Sequence, residues 1–182
     1  MQYNPIYYTE QHFAFANAVR KFVEKEIIPF VNEWDEAGTF PRELYQKAAE
    51  VGLMASGFDE EYGGVSDTDA FYTLLGCVEL AKCASGGLVA SLLSHMIGAP
   101  PINKFGSDEI KSEVLPKILS GEKISALAIT EPGGGSDVAA LQTKAVKDGD
   151  DYIISGEKTF ITSGIRADYY TVAVRTDPES KG

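Results

Sequence analysis

The residues best suited to hold a ligand lie between Ala128 and Ala140. Three adjacent glycines, Gly133–Gly135, let backbone N–H groups approach a ligand closely because no side chain stands in the way. Thr130 and Ser136 flank them with hydroxyls that donate or accept hydrogen bonds. Such a turn could hold a phosphate, the edge of a flavin ring or a carbonyl group. The stretch is neither a P-loop nor a G-x-G-x-x-G helix start, and three adjacent glycines on their own are more typical of a plain turn between strands.

β-rich segments surround the glycine stretch. A compact apolar segment precedes it, and Asp148-Gly149-Asp150-Asp151 has the composition of a hairpin turn. Val, Ile, Tyr and Thr are enriched in the other segments, which predicts strands there. The predicted strands are 124–130, 143–147, 152–155, 158–162 and 169–176.

The chain before Gly121 has helical spacing instead, since apolar residues from Thr9 to Leu119 recur three or four positions apart. Pro29 should stop or redirect the first helix, and Ser107 should cap the last one. Gly87 to Gly98 is apolar on nearly all sides, which predicts one buried helix. The sequence therefore predicts an α+β fold, with an all-helical domain over residues 1–121 and the start of a β domain over residues 122–182.

The formal net charge of -11 comes from 16 basic and 27 acidic side chains. That balance argues against a nucleic-acid binder, which needs a concentrated basic face. It also argues against an anionic membrane surface as partner, and the interrupted apolar stretch 88–101 is too short to span a bilayer.

The two cysteines, Cys77 and Cys83, are six positions apart and lack nearby histidines, so we expect reduced thiols and no metal site. With no signal-peptide pattern at Met1, the expected location is the cytoplasm of a bacterium or the mitochondrial matrix of a eukaryote.

From Ala128 to Ala140 the sequence resembles, position by position, the signature of the acyl-CoA dehydrogenase family. Gly-Glu-Lys-Thr-Phe-Ile-Thr-Ser-Gly at 156–164 resembles the family's second flavin-contacting strand and turn. Four further motifs resemble its N-terminal helical domain in order and spacing: Trp34-Asp35, Phe40-Pro41, Gly52-Leu53 and Tyr62-Gly63-Gly64. The resemblance covers nearly the whole chain. It implies a helical domain, a β-barrel-like middle domain and a C-terminal helical bundle, of which this chain would supply the first and part of the second.

The resemblance implies a site for FAD and an acyl-CoA. Thr130 would hydrogen-bond the polar edge of the flavin, and Ser136 would also border the acyl-CoA. Many relatives carry an aromatic residue where Leu127 stands and Trp where Phe160 stands. Glu131 is expected to fix the turn and not to transfer protons. The residues that would contact FAD are Leu127, Ile129, Thr130, Gly135, Ser136, Phe160 and Thr162.

Members of the family use FAD to oxidise an acyl-CoA to the trans-2-enoyl-CoA, in fatty-acid or branched-chain catabolism. A glutamate removes the α-proton while the β-hydrogen leaves as hydride to the flavin. In relatives that glutamate lies in the C-terminal domain, and no residue here matches it, so no catalytic residue is assigned. The resemblance further implies electron-transfer flavoprotein as acceptor, a homotetramer or homodimer, and an acyl-site wall formed by the helix around Leu92.

Two alternatives share these features. One is an acyl-CoA oxidase-like flavoenzyme, which would carry the same motifs. The other is a non-catalytic helical interaction module that retains only the flavin turn. The open strands and the polar ending, 177–182, favour a truncated chain over a naturally short one. As a fragment, it is expected to hold flavin weakly and to show no turnover.

Overall fold

A computed structural model describes residues 6–177 of the chain. It has an α+β architecture, as predicted, with helices first and strands after them. The helices are α1 Glu10–Phe22, α2 Val31–Ala37, α3 Glu43–Glu50, α4 Ala70–Leu80, α5 Gly86–Leu92, α6 His95–Gly98, α7 Pro100–Phe105 and α8 Asp108–Leu119. The strands are β1 Ser125–Ala128, β2 Lys144–Asp148, β3 Asp151–Ser155 and β4 Tyr169–Val172. Of the polar ending expected at 177–182, residues 178–182 lie outside the described part.

Local capping sets the ends of the first and last helices. Thr9 caps α1, because its hydroxyl accepts from the backbone N–H of His12 while its own N–H donates to His12 Nδ1. A π-helical turn, Val23–Ile27, follows α1, and the helix is over before Pro29, as predicted. The Ser107 hydroxyl accepts from the N–H of Ile110, which confirms the predicted cap of α8.

The main core lies among the helices. Its fully buried members come from several helices and from the segment after α3, and include Val19, Ile27, Tyr45, Met54, Leu80 and Leu92. A second cluster lines α8, where Leu115 and Ile118 are fully buried against Phe58 and Tyr62. Burying each such side chain stabilises the fold by about 1.5–3 kcal/mol, so most of the hydrophobic stabilisation comes from this region.

The prediction of one buried helix from Gly87 to Gly98 is wrong. The helix breaks after Leu92, and α6 begins at His95. Met96 and Ile97 are 37% and 50% exposed, so apolar composition alone did not decide burial here. At the break, the Ser91 carbonyl accepts from the Ser94 N–H and also from the hydroxyls of Tyr45 and Ser163, which lie outside the helix.

Two small sheets follow. β1 pairs with β4 in parallel, with Ser125 opposite Tyr169, and β2 pairs with β3 in an antiparallel hairpin. Gly149 has a φ of 62° in the hairpin turn, as its composition predicted. The strand predicted at 158–162 is absent, because that segment turns away through a positive φ at Phe160.

The helical region meets the first sheet through α6. A Cβ on Gly98 would lie 3.1 Å from the backbone carbon of Ala126, so a larger residue here would have to push β1 away by a few tenths of an ångström. The Gly98 carbonyl also accepts from the Thr171 hydroxyl on β4 at 2.6 Å. The helical region thereby fixes the position of β1, from which the glycine stretch emerges.

Candidate functional site

The glycine stretch leaves β1 as a tight turn. Glu131 and Gly134 exchange backbone hydrogen bonds of 3.0 and 3.1 Å, which closes the turn. The positions where a Cβ would stand on Gly133 and Gly134 have no atom within 4 Å, so this backbone is open on its outer side. A cavity of about 490 Å³ borders the turn and extends from Ile129 to Glu157. The turn thus presents glycine backbone that a ligand can approach without meeting a side chain.

The carboxylate of Glu131 holds the turn from behind. Its oxygens accept from the N–H of Gln142 at 2.5 Å and from the N–H and hydroxyl of Thr143 at 2.8 and 2.5 Å. Lys158 Nζ donates to the same carboxylate at 2.9 Å. Glu131 and Lys158 are both almost inaccessible, with side chains 9% and 10% exposed.

These contacts fix the protonation state of Glu131. The Thr143 hydroxyl, then the Gln142 N–H and the Lys158 ammonium, lower the pKa of Glu131 to about 2. A carboxylic acid with so low a pKa is a poor proton acceptor at neutral pH. The geometry therefore agrees with the expectation that Glu131 fixes the turn and does not transfer protons.

The second motif is joined to the first at this point. Lys158 Nζ also donates to the carbonyl of Ile129 at 2.9 Å, and the N–H of Thr159 donates to the carbonyl of Thr130 at 2.9 Å. Residues 158–166, called the strap from here on, start beside the end of β1. The two stretches that sequence resemblance assigned to one flavin site are thus adjacent in space.

Beyond Thr159 the strap presents Phe160 to solvent. Its side chain is 92% exposed, and its φ is 54°. A left-handed backbone costs a non-glycine residue roughly 1–2 kcal/mol, and such conformations cluster at ligand sites. Ser163, three residues on, has a φ of 61° as well. The strap therefore holds an exposed aromatic ring in a conformation that its own sequence does not favour.

The seven predicted FAD residues fall into two groups. Leu127, Ile129 and Thr130 are half-buried at the end of β1 and the start of the turn. The other four are exposed on the turn or the strap: Gly135, Ser136, Phe160 and Thr162. The bond between Thr159 and Thr130 connects the groups, and their contact with FAD stays a prediction.

Sequence reasoning missed a hydroxyl cluster beneath the strap. The Ser163 hydroxyl contacts Ser91 Oγ at 2.9 Å and Ser94 Oγ at 3.2 Å, and Tyr45 donates to the Ser91 carbonyl at 3.0 Å. Ser91 and Ser163 are 72 positions apart, so no local sequence pattern predicts their contact. Lys158 was visible in the second motif, but nothing in the sequence indicated that it pairs with Glu131.

The strap is also fixed at its far end. Arg166 donates to the Phe40 carbonyl at 2.7 Å, and its guanidinium lies 4.3 Å from the centre of the Phe40 ring. Arg42 donates to the Arg166 carbonyl at 2.7 Å and pairs with Asp168. A cavity of about 590 Å³ separates Trp34 on α2 from this part of the strap.

Within residues 6–177 no helix has both the length and the apolar character needed to cross a membrane.

Comparison with known proteins gives a consistent family assignment. The sequence profile of "Acyl-CoA dehydrogenase, N-terminal domain" matches residues 9–122, and that of "Acyl-CoA dehydrogenase, middle domain" matches residues 126–182. The mitochondrial long-chain specific acyl-CoA dehydrogenase of Sus scrofa is 37% identical over 174 residues, which cover 96% of this chain and 40% of that protein.

Solved structures agree. An acyl-CoA dehydrogenase from Geobacillus kaustophilus is 46% identical with a TM-score of 0.87, over 96% of this chain and 46% of that one. An acyl-CoA dehydrogenase from Bacillus anthracis, complexed with FAD, is 31% identical with a TM-score of 0.83, over 96% of this chain and 30% of that one. The chain spans less than half the length of these relatives.

Proposed function

The chain belongs to the acyl-CoA dehydrogenase family, and we propose that it supplies the flavin-contacting part of an enzyme that oxidises an acyl-CoA to the trans-2-enoyl-CoA. One observation carries the proposal. The glycine turn and the strap are joined through Lys158 and Thr159, and together they present open backbone and the exposed ring of Phe160 on adjacent segments.

The residues present fit FAD. The backbone of Gly133, which has no atom within 4 Å where a Cβ would stand, leaves room for the oxygens of the pyrophosphate or ring. The exposed ring of Phe160 suits the flat apolar face of an isoalloxazine, since such faces stack with aromatic side chains. When bound, FAD would accept the β-hydrogen of the substrate as hydride.

The chain's own groups bind and orient in this proposal. The Thr130 hydroxyl would hydrogen-bond the polar edge of the flavin, and Ser136 would border both the flavin and the acyl-CoA. Glu131 stays ionised and paired with Lys158. Its carboxylate has too low a pKa to accept the α-proton of the substrate at neutral pH. We assign the base to no residue of this chain.

The substrate side is proposed to lie on α5 and α6. Val89 and Leu93 are half-buried there, and Met96 and Ile97 are exposed, which gives an apolar wall of the kind that contacts an acyl chain. Electron-transfer flavoprotein as acceptor, a homotetramer or homodimer, and a cytoplasmic or matrix location remain predictions from the family resemblance.

The test of the activity is the absorbance spectrum of the purified full-length gene product, before and after anaerobic addition of a saturated acyl-CoA. Bound oxidised flavin that bleaches, with release of trans-2-enoyl-CoA, is the expected result. Rapid re-oxidation by air with formation of hydrogen peroxide would favour the oxidase-like alternative. A protein that stays colourless when FAD is supplied would contradict the proposal and favour the interaction module.

The test of the site is Phe160→Ala, with Ile165→Ala as its matched control. Ile165 is fully exposed on the same strap but has no assigned flavin contact. Loss of one aromatic stacking contact should weaken FAD binding by about tenfold and leave the melting temperature of the FAD-free protein unchanged. Equal FAD affinities in both variants would contradict the role of Phe160.

A further inference from the structure

The strap combines a strained backbone with anchors at both ends. Phe160 and Ser163, two of the three non-glycine residues with positive φ among residues 6–177, lie within four positions. Lys158 fixes one end to Glu131 and Ile129, as described above. Such conformations persist only where surrounding contacts determine them. The contacts of Ser163 therefore decide how the exposed part of the strap is oriented.

Those contacts reach the break between α5 and α6. The Ser163 hydroxyl lies 2.9 Å from Ser91 Oγ, 3.3 Å from the Ser91 carbonyl and 3.2 Å from Ser94 Oγ. Tyr45 on α3 reaches the same Ser91 carbonyl and hydroxyl, each at 3.0 Å. Ser94 and Tyr45 are each only 1% exposed, whereas Ser91 and Ser163 are half-buried and line the cavity of about 590 Å³.

The hydroxyl contacts of Ser163 are made to two different positions of one helix break, so they depend on the relative placement of Ser91 and Ser94. The Ser91 carbonyl is part of the interruption that separates α5 from α6. The apolar side chains of Met96 and Ile97 stand on α6, directly after the interruption. Ser163 thus contacts the start of this interruption on one side and adjoins Thr162 in the strap on the other.

We propose that Ser163 is a positioning residue that couples the break between α5 and α6 to the flavin-facing part of the strap. The inference rests on the proposed function for the identity of the ligand, but the coupling itself belongs to the FAD-free protein. It links the wall proposed for the acyl chain to the side chains proposed to contact the flavin.

Hydrogen exchange of backbone amides in the FAD-free protein tests the coupling. Ser163→Ala removes the hydroxyl, and Ser163→Gly removes it while relieving the positive φ. Both should raise exchange rates about tenfold in residues 159–164 and also in residues 88–97, because one anchor serves both segments. Ser120→Ala is the control, since the exposed Ser120 hydroxyl bonds only locally to the Lys117 carbonyl.

The reciprocal variant Ser91→Ala keeps the test decisive if the Ser163 variants fold poorly. It should raise exchange in the strap, and its effect should not add to that of Ser163→Ala in the double variant. Faster exchange confined to the mutated segment, or fully additive effects, would overturn the proposal.

FAD titration then separates this inference from the proposed function. Ser163→Ala should weaken FAD binding about tenfold, and conservative Ser163→Asn, which tolerates positive φ and keeps a polar group, should restore part of it. Wild-type protein that fails to bind FAD would contradict the proposed function, while the exchange result would still decide the coupling. Unchanged FAD affinity in Ser163→Ala, together with unchanged exchange, would overturn the inference alone.

Discussion

The helical region, residues 6–121, and the β region, residues 122–177, are stabilised in different ways. In the first, α1, α4, α5 and α8 each bury apolar side chains almost completely. In the second, Ala145 is the one buried residue of β2 and β3, while Val146, Tyr152, Ile153 and Ile154 are 54–63% exposed. Apolar burial organises the helices, and polar contacts organise the site.

Those polar contacts are specific in a way that burial is not. Glu131 contacts two separate segments through its carboxylate, residues 142–143 and Lys158. Asp168 accepts from the Ile124 N–H and pairs with Arg42 and Lys123. A charged group in such a network specifies one geometry, because each removed partner leaves another group unsatisfied. The β2–β3 hairpin therefore contributes little apolar burial, while the polar contacts of Glu131 and Asp168 fix the shape of the site.

The largest expected effect contrasts the two regions directly. Leu80→Ala should lower the free energy of unfolding by about 2–5 kcal/mol, because Leu80 is fully buried in the main core. Ile153→Ala, at a side chain 57% exposed on the hairpin, should change it by less than about 0.5 kcal/mol. Urea denaturation followed by circular dichroism measures both. Equal losses of unfolding free energy in the two variants would contradict the difference in apolar burial between the two regions.

The next effect is a pH dependence located in the helical region. Burial lowers the pKa of His95 to about 4, below its usual 6.5. Between pH 6.5 and 4 the unfolded chain binds a proton at His95 and the folded protein does not. The free energy of unfolding is therefore highest above pH 6.5 and falls as the pH drops toward 4. The shift corresponds to roughly 3 kcal/mol.

His95→Gln removes that titration. Its free energy of unfolding should vary less between pH 6.5 and 4 than that of the wild type, as measured by urea denaturation at each pH. Parallel pH profiles for the two proteins would show that His95 is not shielded as described.

The smallest of these effects concerns the β region. Glu131 has a folded-state pKa of about 2, below its ordinary 4.5, so its contribution is present above pH 4.5 and is lost as pH falls toward 2. Glu131→Gln should lower the melting temperature at pH 7 by roughly 5 °C, since it leaves Lys158 without its carboxylate. Glu157→Gln, at an exposed carboxyl beside it, is the matched control. If differential scanning calorimetry finds the same melting temperature for both variants, the ion pair of Glu131 with Lys158 does not stabilise the fold as described.

The comparison also explains what sequence could predict. The first helix, the Ser107 cap and the hairpin turn at Gly149 depend on local spacing and local chemistry, and all three are confirmed. The predictions of a strand at 158–162 and of a single helix at 87–98 were wrong. The first segment turns away through a positive φ at Phe160, and the helix breaks between Leu92 and His95, features that local spacing does not reveal.

The candidate site divides in the same way. Its two motifs were visible as sequence, and the resemblance named its seven residues. Their adjacency through Thr159 and Thr130, the pairing of Glu131 with Lys158 and the anchoring of Ser163 were not. Each depends on residues far apart in the chain, whose contact only the folded structure defines.

The most direct test of the central claim is hydrogen exchange of the protein with and without saturating FAD. We expect FAD to protect the backbone amides of two separate segments, 127–136 and 158–163, from exchange. Exchange in the exposed hairpin at 144–155 should change little. Protection of only one segment, or of neither, would contradict the claim that the glycine turn and the strap form a single flavin site.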